Sequence, residues 1–346
     1  MEAKKNNSMK EIIGKLGPLL ALIILCIGLQ VATGGKFFAP ANISNVFRQV
    51  PIVALMAVGM LCVILLGGID LSAGSLLAIG CMASGVMMQK FFTEDNLMNA
   101  IILIVICIAV STLCGVINGL LLTKLHLPHP FIATLGMKNI CRGVALLISG
   151  SAAIAGFPKA TLVIGAQDIV KFGAPGKQFA LPLSFVLTIA VFVIMHIFLT
   201  RTALGRKIYS FGGNAEAARL AGINTDNVQI FCYGMSGFMC GLAGVIYIGR
   251  LNSAVPLASL EGDLDAIASC IIGGASFLGG KGNVWGTLIG AFMIQIIRNG
   301  CNLLGVSSDL QQIVIGAIII IAVFIDVVRT AMEAKAKRLA VAKAND

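Results

Sequence analysis

Apolar residues run through this chain in long blocks, separated by short polar or glycine-rich intervals. A helix needs roughly 20 apolar residues to cross the ~30 Å hydrocarbon core of a bilayer. On that ruler the chain divides into ten spans: 17–33, 50–67, 71–88, 97–122, 130–151, 179–200, 228–248, 264–277, 284–306 and 310–328. The stretch 50–88 is too long for one helix and holds a single charge, Asp70. Gly67-Gly68 supplies a break inside it, and either Asp70 or Ser72 is suited to cap the helix that follows. The eighth span is short, and Gly273-Gly274, Gly279-Gly280 and Gly282 crowd its end. That is the pattern of a broken or re-entrant segment, tolerated where it is buried in protein or lines a cavity. The run Leu66-Gly67-Gly68-Ile69-Asp70-Leu71-Ser72 finds a weak echo in Ile272-Gly273-Gly274-Ala275-Ser276-Phe277. Two related halves of five spans account for such an echo. The pattern predicts an all-α, polytopic membrane protein of about ten helices, a single domain over 1–346.

Composition agrees and narrows the class. Of 346 residues, 58% are hydrophobic and 12% charged, against about 45–50% and about 25% in an ordinary soluble domain. Too little charge remains to cover a water-soluble globule, and intrinsic disorder needs the opposite balance. The excess of 25 Lys and Arg over 15 Asp and Glu gives +10. With the N-terminus inside, fifteen of the cations fall on cytoplasmic segments and seven outside, while Lys138, Arg142 and Arg298 lie within spans. Cytoplasmic loops of membrane proteins carry such an excess, so both termini, including a tail at 329–346, are predicted cytoplasmic. The charge thus orients the chain, and nucleic acid is not an expected partner. The lipid bilayer is. The ten cysteines all lie in apolar runs without CxxC pairing, and the three histidines give no ligand spacing with them; no metal site is expected.

Candidate chemistry is confined to a few places. The cytoplasmic loop 201–226 contains Asn214, a good N-cap, then Glu216 at a positive helix start, Ala217, Ala218, Arg219, and Gly222 as a stop. A helix of about two turns is too short to stand alone in water, so it must dock, on its own bundle or on another protein. Asp70 is expected to cap the next helix near the inner end of a span, with pore polarity the competing reading. Lys138 and Arg142, on adjacent turns near a helix end, are expected to snorkel. Asp326 is expected at the membrane interface. Glu261, Asp263 and Asp265 form an outer acidic cluster on what reads as a solvated loop, and 152–178 reads as a surface loop.

These segments resemble one family. Glu216-Ala217-Ala218, three residues and Gly222 look like the EAA…G loop of permease subunits in bacterial ABC importers. The runs from Gly67 to Ser75, from Gly205 to Gly222, from Leu264 to Ala268 with Gly273 to Gly282, and from Asn299 to Ser307 resemble the ribose/xylose/galactose branch, most of all its ribose permeases. In order, they cover about residues 40–330. The resemblance implies a homodimeric or paired permease of the bacterial cytoplasmic (inner) membrane, two cytoplasmic ATPase subunits, and a periplasmic or surface sugar-binding protein. It implies that Glu216–Gly222 is the coupling helix, capped by Asn214 and seated in a groove of the ATPase. Asp70, Ser72, Gly74, Gly273, Gly274, Ser276, Asn299 and Asn302 then belong to pathway or structural motifs. Glu261, Asp263 and Asp265 become a dock for basic residues of the binding protein. Gly279-Gly280-Lys281-Gly282 lacks the phosphate-loop spacing, so no catalytic residue is expected here and ATP with Mg is expected on the partner ATPase. A single tryptophan, Trp285, and three tyrosines leave little to stack on a sugar ring, which suits a conduit that holds sugar weakly.

Two other classes fit the same residues less well. An ion-driven secondary transporter of a small polar solute wants paired intramembrane acids or proton relays, and Asp70 alone is suited. A membrane enzyme wants a nucleophile–base pair or metal cluster, and the sequence offers neither.

Overall fold

The computed structural model describes the backbone of residues 2–345 other than 126, 128 and 175–177. Side chains are described at 17–328 other than those positions and 325. The expected inner lysines at 4, 5, 10 and 15, and the tail side chains at 329–346, lie outside the described side chains.

Each predicted span falls on a helix, and capping chemistry sets many of the boundaries. α1 (Glu2–Ala32) and α2 (Pro40–Leu65) lead the chain. Pro40 opens α2, where a missing N–H costs nothing, and Gly67, at φ +77°, turns the chain just beyond it. α3 (Ala73–Phe91) follows, then α4 (Leu97–Lys124), whose cap Asn96 accepts from Asn99 N at 2.8 Å. α5 (Pro130–Ser149) ends on left-handed Gly150. Next come α6 (Lys159–Ala166), α7 (Leu183–Arg201), α8 (Ala203–Gly213), α9 (Ala215–Leu220) and α10 (Thr225–Leu251). α11 (Gly262–Ile272), α12 (Val284–Leu303) and α13 (Ser308–Asn345) complete the chain.

Among the described residues, six helices are long and apolar enough to cross a membrane: α2, α4, α5, α7, α10 and 308–328 of α13. α11, with 11 residues, is too short to do so, as its glycine-crowded end suggested. Two expectations need correcting. The fold is mainly helical but not all-α: β1 (Ile154–Ala155) pairs antiparallel with β4 (Ser253–Ala254), and β2 (Asp168–Phe172) with β3 (Phe179–Pro182). The stretch 152–178 is therefore not simply a surface loop. Its Asp168 accepts from Arg48 of α2 at 2.7 Å, and Ser44 of α2 accepts from Ala180 N of β3. These bonds tie the ladder to the bundle.

α2 and α10 form the centre, with 83% and 67% of their most apolar windows buried. α10 lies tightly along α4 because glycines line the seam. A Cβ at Gly119 would meet Ile230 Cα at 2.6 Å, and one at Gly241 would meet Ile108 Cα at 2.7 Å. Small residues permit such backbone approach where lipid provides no hydrophobic drive between helices. The connections α2–α3 and α10–α11 both dip into the bundle. There Gly74 packs against the Ser259 carbonyl and Gly262 against the Ser259 side chain, so the first turns of α3 and α11 meet inside.

Candidate functional site

Three assemblies hold most of the predicted site residues. The first is the short helix α9. Asn214 caps it, its Oδ1 accepting from Ala217 N at 3.0 Å. Glu216 in the first turn pairs with Arg219 at 3.2 Å. Gly222, at φ +81°, ends the segment, and Ile223 N returns to Ala218 O. Ala218 is buried while Leu220 is 81% exposed, so one edge of α9 is seated on the chain and an apolar side chain stands free.

α8, just before it, was not foreseen as a helix. Thr202 caps it through Gly205 N, and Gly205, Ile208 and Phe211 form its buried stripe. It reaches two glycine loops at once. Gly212 lies so close to Leu65 O that a Cβ there would clash with it, and Leu65 O accepts from Gly280 N at 2.9 Å. Tyr209 Oη donates to Gly282 O at 2.8 Å, and burial raises the phenol above its ordinary pKa, which keeps it a donor. The segment carrying α9 is thereby packed against the end of α2 and bonded to the loop after α11.

The second assembly is the buried junction where α3 begins. Asp70 is fully buried and accepts from Ser72 N at 2.9 Å, from Ser72 Oγ, and from Ser236 Oγ of α10 at 2.7 Å. Asn118 of α4 donates to Ser72 Oγ at 2.8 Å. This corrects the expected cap. Ser72 occupies the cap position but turns its hydroxyl toward Asp70, and Asp70 holds the turn ahead of the helix. Nor does Asp70 line open space.

The third assembly surrounds α11. Lys138 of α5 pairs with Asp263 at 2.7 Å, and Arg142 donates to the carbonyls of Pro256 and Ala258 at 2.8 and 2.9 Å. Both point inward, so the snorkelling expectation is overturned: the acceptors lie more than a hundred residues away in sequence. Arg298 of α12 grips Asp265 through Nε and Nη2 at 3.1 and 2.9 Å, with Glu261 at 3.7 Å. Residues i and i+2 of a helix face different ways, so Asp263 and Asp265 hold α11 between α5 and α12. The acidic cluster is thus not a solvated dock. Asp263 and Asp265 are buried and paired, and Glu261 alone retains a third of its side-chain exposure.

The remaining motif residues have structural partners. Asp326 is no bare interface residue; its Oδ2 accepts from Ser276 Oγ and Phe277 N at 3.2 and 3.3 Å. Gly273 and Gly274 line a crevice of about 660 Å³ with His196, Trp285 and Asp326. Asn299 and Asn42 exchange hydrogen bonds at 2.9 Å, and Asn302 accepts from Gln311 at 2.8 Å. These two asparagines do not join the Asp70 junction.

Comparison with known proteins places this arrangement. The ribose import permease protein RbsC of Escherichia coli (strain K12) is 39% identical over 309 residues, spanning 89% of this chain and 92% of that protein. RbsC of Bacillus subtilis (strain 168) is 38% identical over 313 residues, with 90% and 92% covered. The fructose import permease protein FrcC of Rhizobium meliloti is 36% identical over 315 residues, with 89% and 84% covered. No solved structure matches the chain significantly. The chain is a multi-pass inner-membrane protein, on its six spanning helices and its permease relatives. A family described as branched-chain amino acid transport system, permease component, matches residues 42–323, and the chain belongs to that family.

Proposed function

We propose that this chain is the membrane subunit of an ATP-driven importer of a monosaccharide, with ribose the first candidate. The observation that carries the reading is α9, a capped two-turn helix presenting exposed Leu220, bonded through α8 to the loop between α11 and α12. The identity to ribose, fructose and allose permeases supports the substrate class. On this reading the chain crosses the membrane ten times with both termini inside, the eighth crossing made by α11 together with the non-helical segment that follows it, and it pairs with a second permease. α9 sits in a cytoplasmic ATPase that holds ATP and Mg, two ATPase subunits serve the pair, and a separate binding protein delivers sugar from outside. Hydrolysis belongs to the ATPase, and this chain supplies the path.

Reconstitution in proteoliposomes tests the reading. Uptake of D-ribose is expected only with the ATPase subunits, the binding protein and ATP, and is expected to survive collapse of proton and sodium gradients. Gradient-driven uptake without the ATPase would instead make the chain a secondary transporter. Because the family description names branched-chain amino acids, leucine is the control substrate, and leucine uptake with none of ribose would overturn the sugar assignment.

A further inference from the structure

α5 departs from the other membrane-length helices in what its free side carries. Phe131, Ile132, Ile140 and Leu147 are exposed, as suits lipid or a second subunit. Asn139 is exposed too, near the middle of the helix. Lys138 beside it keeps 28% of its side chain exposed although it pairs with Asp263. One turn away on either side, a Cβ at Gly136 or Gly143 would meet open space. Polar and ionised groups at mid-membrane face the interior or water rather than hydrocarbon, so this strip of α5 borders water.

Unspent hydrogen-bonding capacity lies beside it. Asp263 is fully buried, and its Oδ1 has no partner while Oδ2 holds Lys138. Arg142 Nη2 is likewise buried without an acceptor. Buried polar atoms are nearly always satisfied in the working state of a protein. An acceptor and a donor left open next to a half-exposed ammonium and an amide match a ligand that both donates and accepts at neighbouring atoms. The hydroxyls of a monosaccharide do this.

We propose that Asn139, Lys138 and Asp263 form a sugar-binding station on the transport path, with Arg142 at its edge. Sugar hydroxyls accept from Lys138 Nζ and Asn139 Nδ2 and donate to Asp263. The station holds sugar by a few hydrogen bonds and no ring stacking, so it binds weakly and releases readily. It rests on the importer reading above and locates the substrate within it.

The test is Asn139→Cys in the full importer, assembled with its ATPase and binding protein in proteoliposomes. Ile194→Cys on the exposed apolar side of α7, and the unsubstituted chain, serve as blanks. A membrane-impermeant methanethiosulfonate is expected to label Asn139→Cys and neither blank. D-ribose, with D-allose, D-fructose and D-xylose beside it, is expected to slow labelling at least about twofold for the sugar that the importer takes up. In parallel, Asn139→Ala is expected to lower sugar uptake about three- to tenfold, the loss of one hydrogen bond, with ATPase association unchanged. An unreactive Asn139→Cys, or labelling that no transported sugar slows, overturns the station even when uptake is normal. An unsubstituted importer that moves no sugar defeats the importer reading instead, and the labelling result still decides whether the strip is wet.

Discussion

Asp70 takes its place from three hydrogen bonds, and two come from Ser72, two residues on. The sequence put Asp70 and Ser72 at the same break, so the local turn was legible two residues apart. What was not legible is Ser236, which reaches Asp70 across 166 positions and makes the carboxylate a joint between α3 and α10. Asp70→Ala removes that acceptor and leaves buried donors unmade, at a cost of about 1–3 kcal/mol for an orphaned group. A correspondingly lower midpoint of thermal unfolding is expected in detergent. Asp70→Asn keeps one oxygen for Ser72 N and is expected to lose less. An unchanged midpoint for the alanine variant would show that the junction adds nothing to stability. Lys138 and Arg142 teach the same lesson. Read as lying near a helix end, they are expected to snorkel; they fall in the middle turns of α5, and only the fold brings Asp263 and the carbonyls of Pro256 and Ala258 within reach.

Helices were legible wherever a cap and a stop bracketed them. Asn214, Glu216 and Gly222 announced α9, and the structure places the cap, the first-turn acid and the positive-φ glycine where those residue types act. α8 escaped because Gly205, Gly212 and Gly213 look like turn residues. In the fold Gly205 and Gly212 are instead points of close backbone approach, on the carbonyls of Leu199 and Leu65. The signal that was available is the spacing of Ile208 and Phe211 behind Thr202. A six-residue helix with one seated edge holds its shape partly through its cap, worth about 1 kcal/mol. The element's role in docking is tested by reversing its exposed character. Glu216→Lys and Leu220→Glu are each expected to abolish co-purification of the ATPase, while the permease itself keeps its unfolding midpoint. Asn214→Ala is expected to weaken association without abolishing it. Undiminished co-purification of both charge variants would remove α9 from the contact.

Across the whole molecule, a signal at α9 has a covalently short and physically continuous route inward. α8 follows α7 after one residue, packs Gly212 on the last carbonyl of α2, and bonds Tyr209 to the loop that α11 and α12 share. The same loop closes the circuit through Gly280 N and Leu65 O. α11 is in turn fixed to α5 by Lys138 and to α12 by Arg298. A displacement of α8 is therefore expected to reach α11 and, through it, the polar strip of α5. Contact alone does not establish coupling, so the link must be broken without harming either end. Tyr209→Phe does so: it removes one hydroxyl from a half-buried ring and leaves α9, its cap and Leu220 untouched. ATPase association and hydrolysis rate are expected to match the unsubstituted importer, while sugar uptake falls about three- to tenfold, the scale of one hydrogen bond. The ATP consumed per sugar then rises by the same factor. A variant that loses uptake and hydrolysis together would place Tyr209 in assembly rather than transmission, and one that loses neither would leave the Gly280–Leu65 contact as the remaining route.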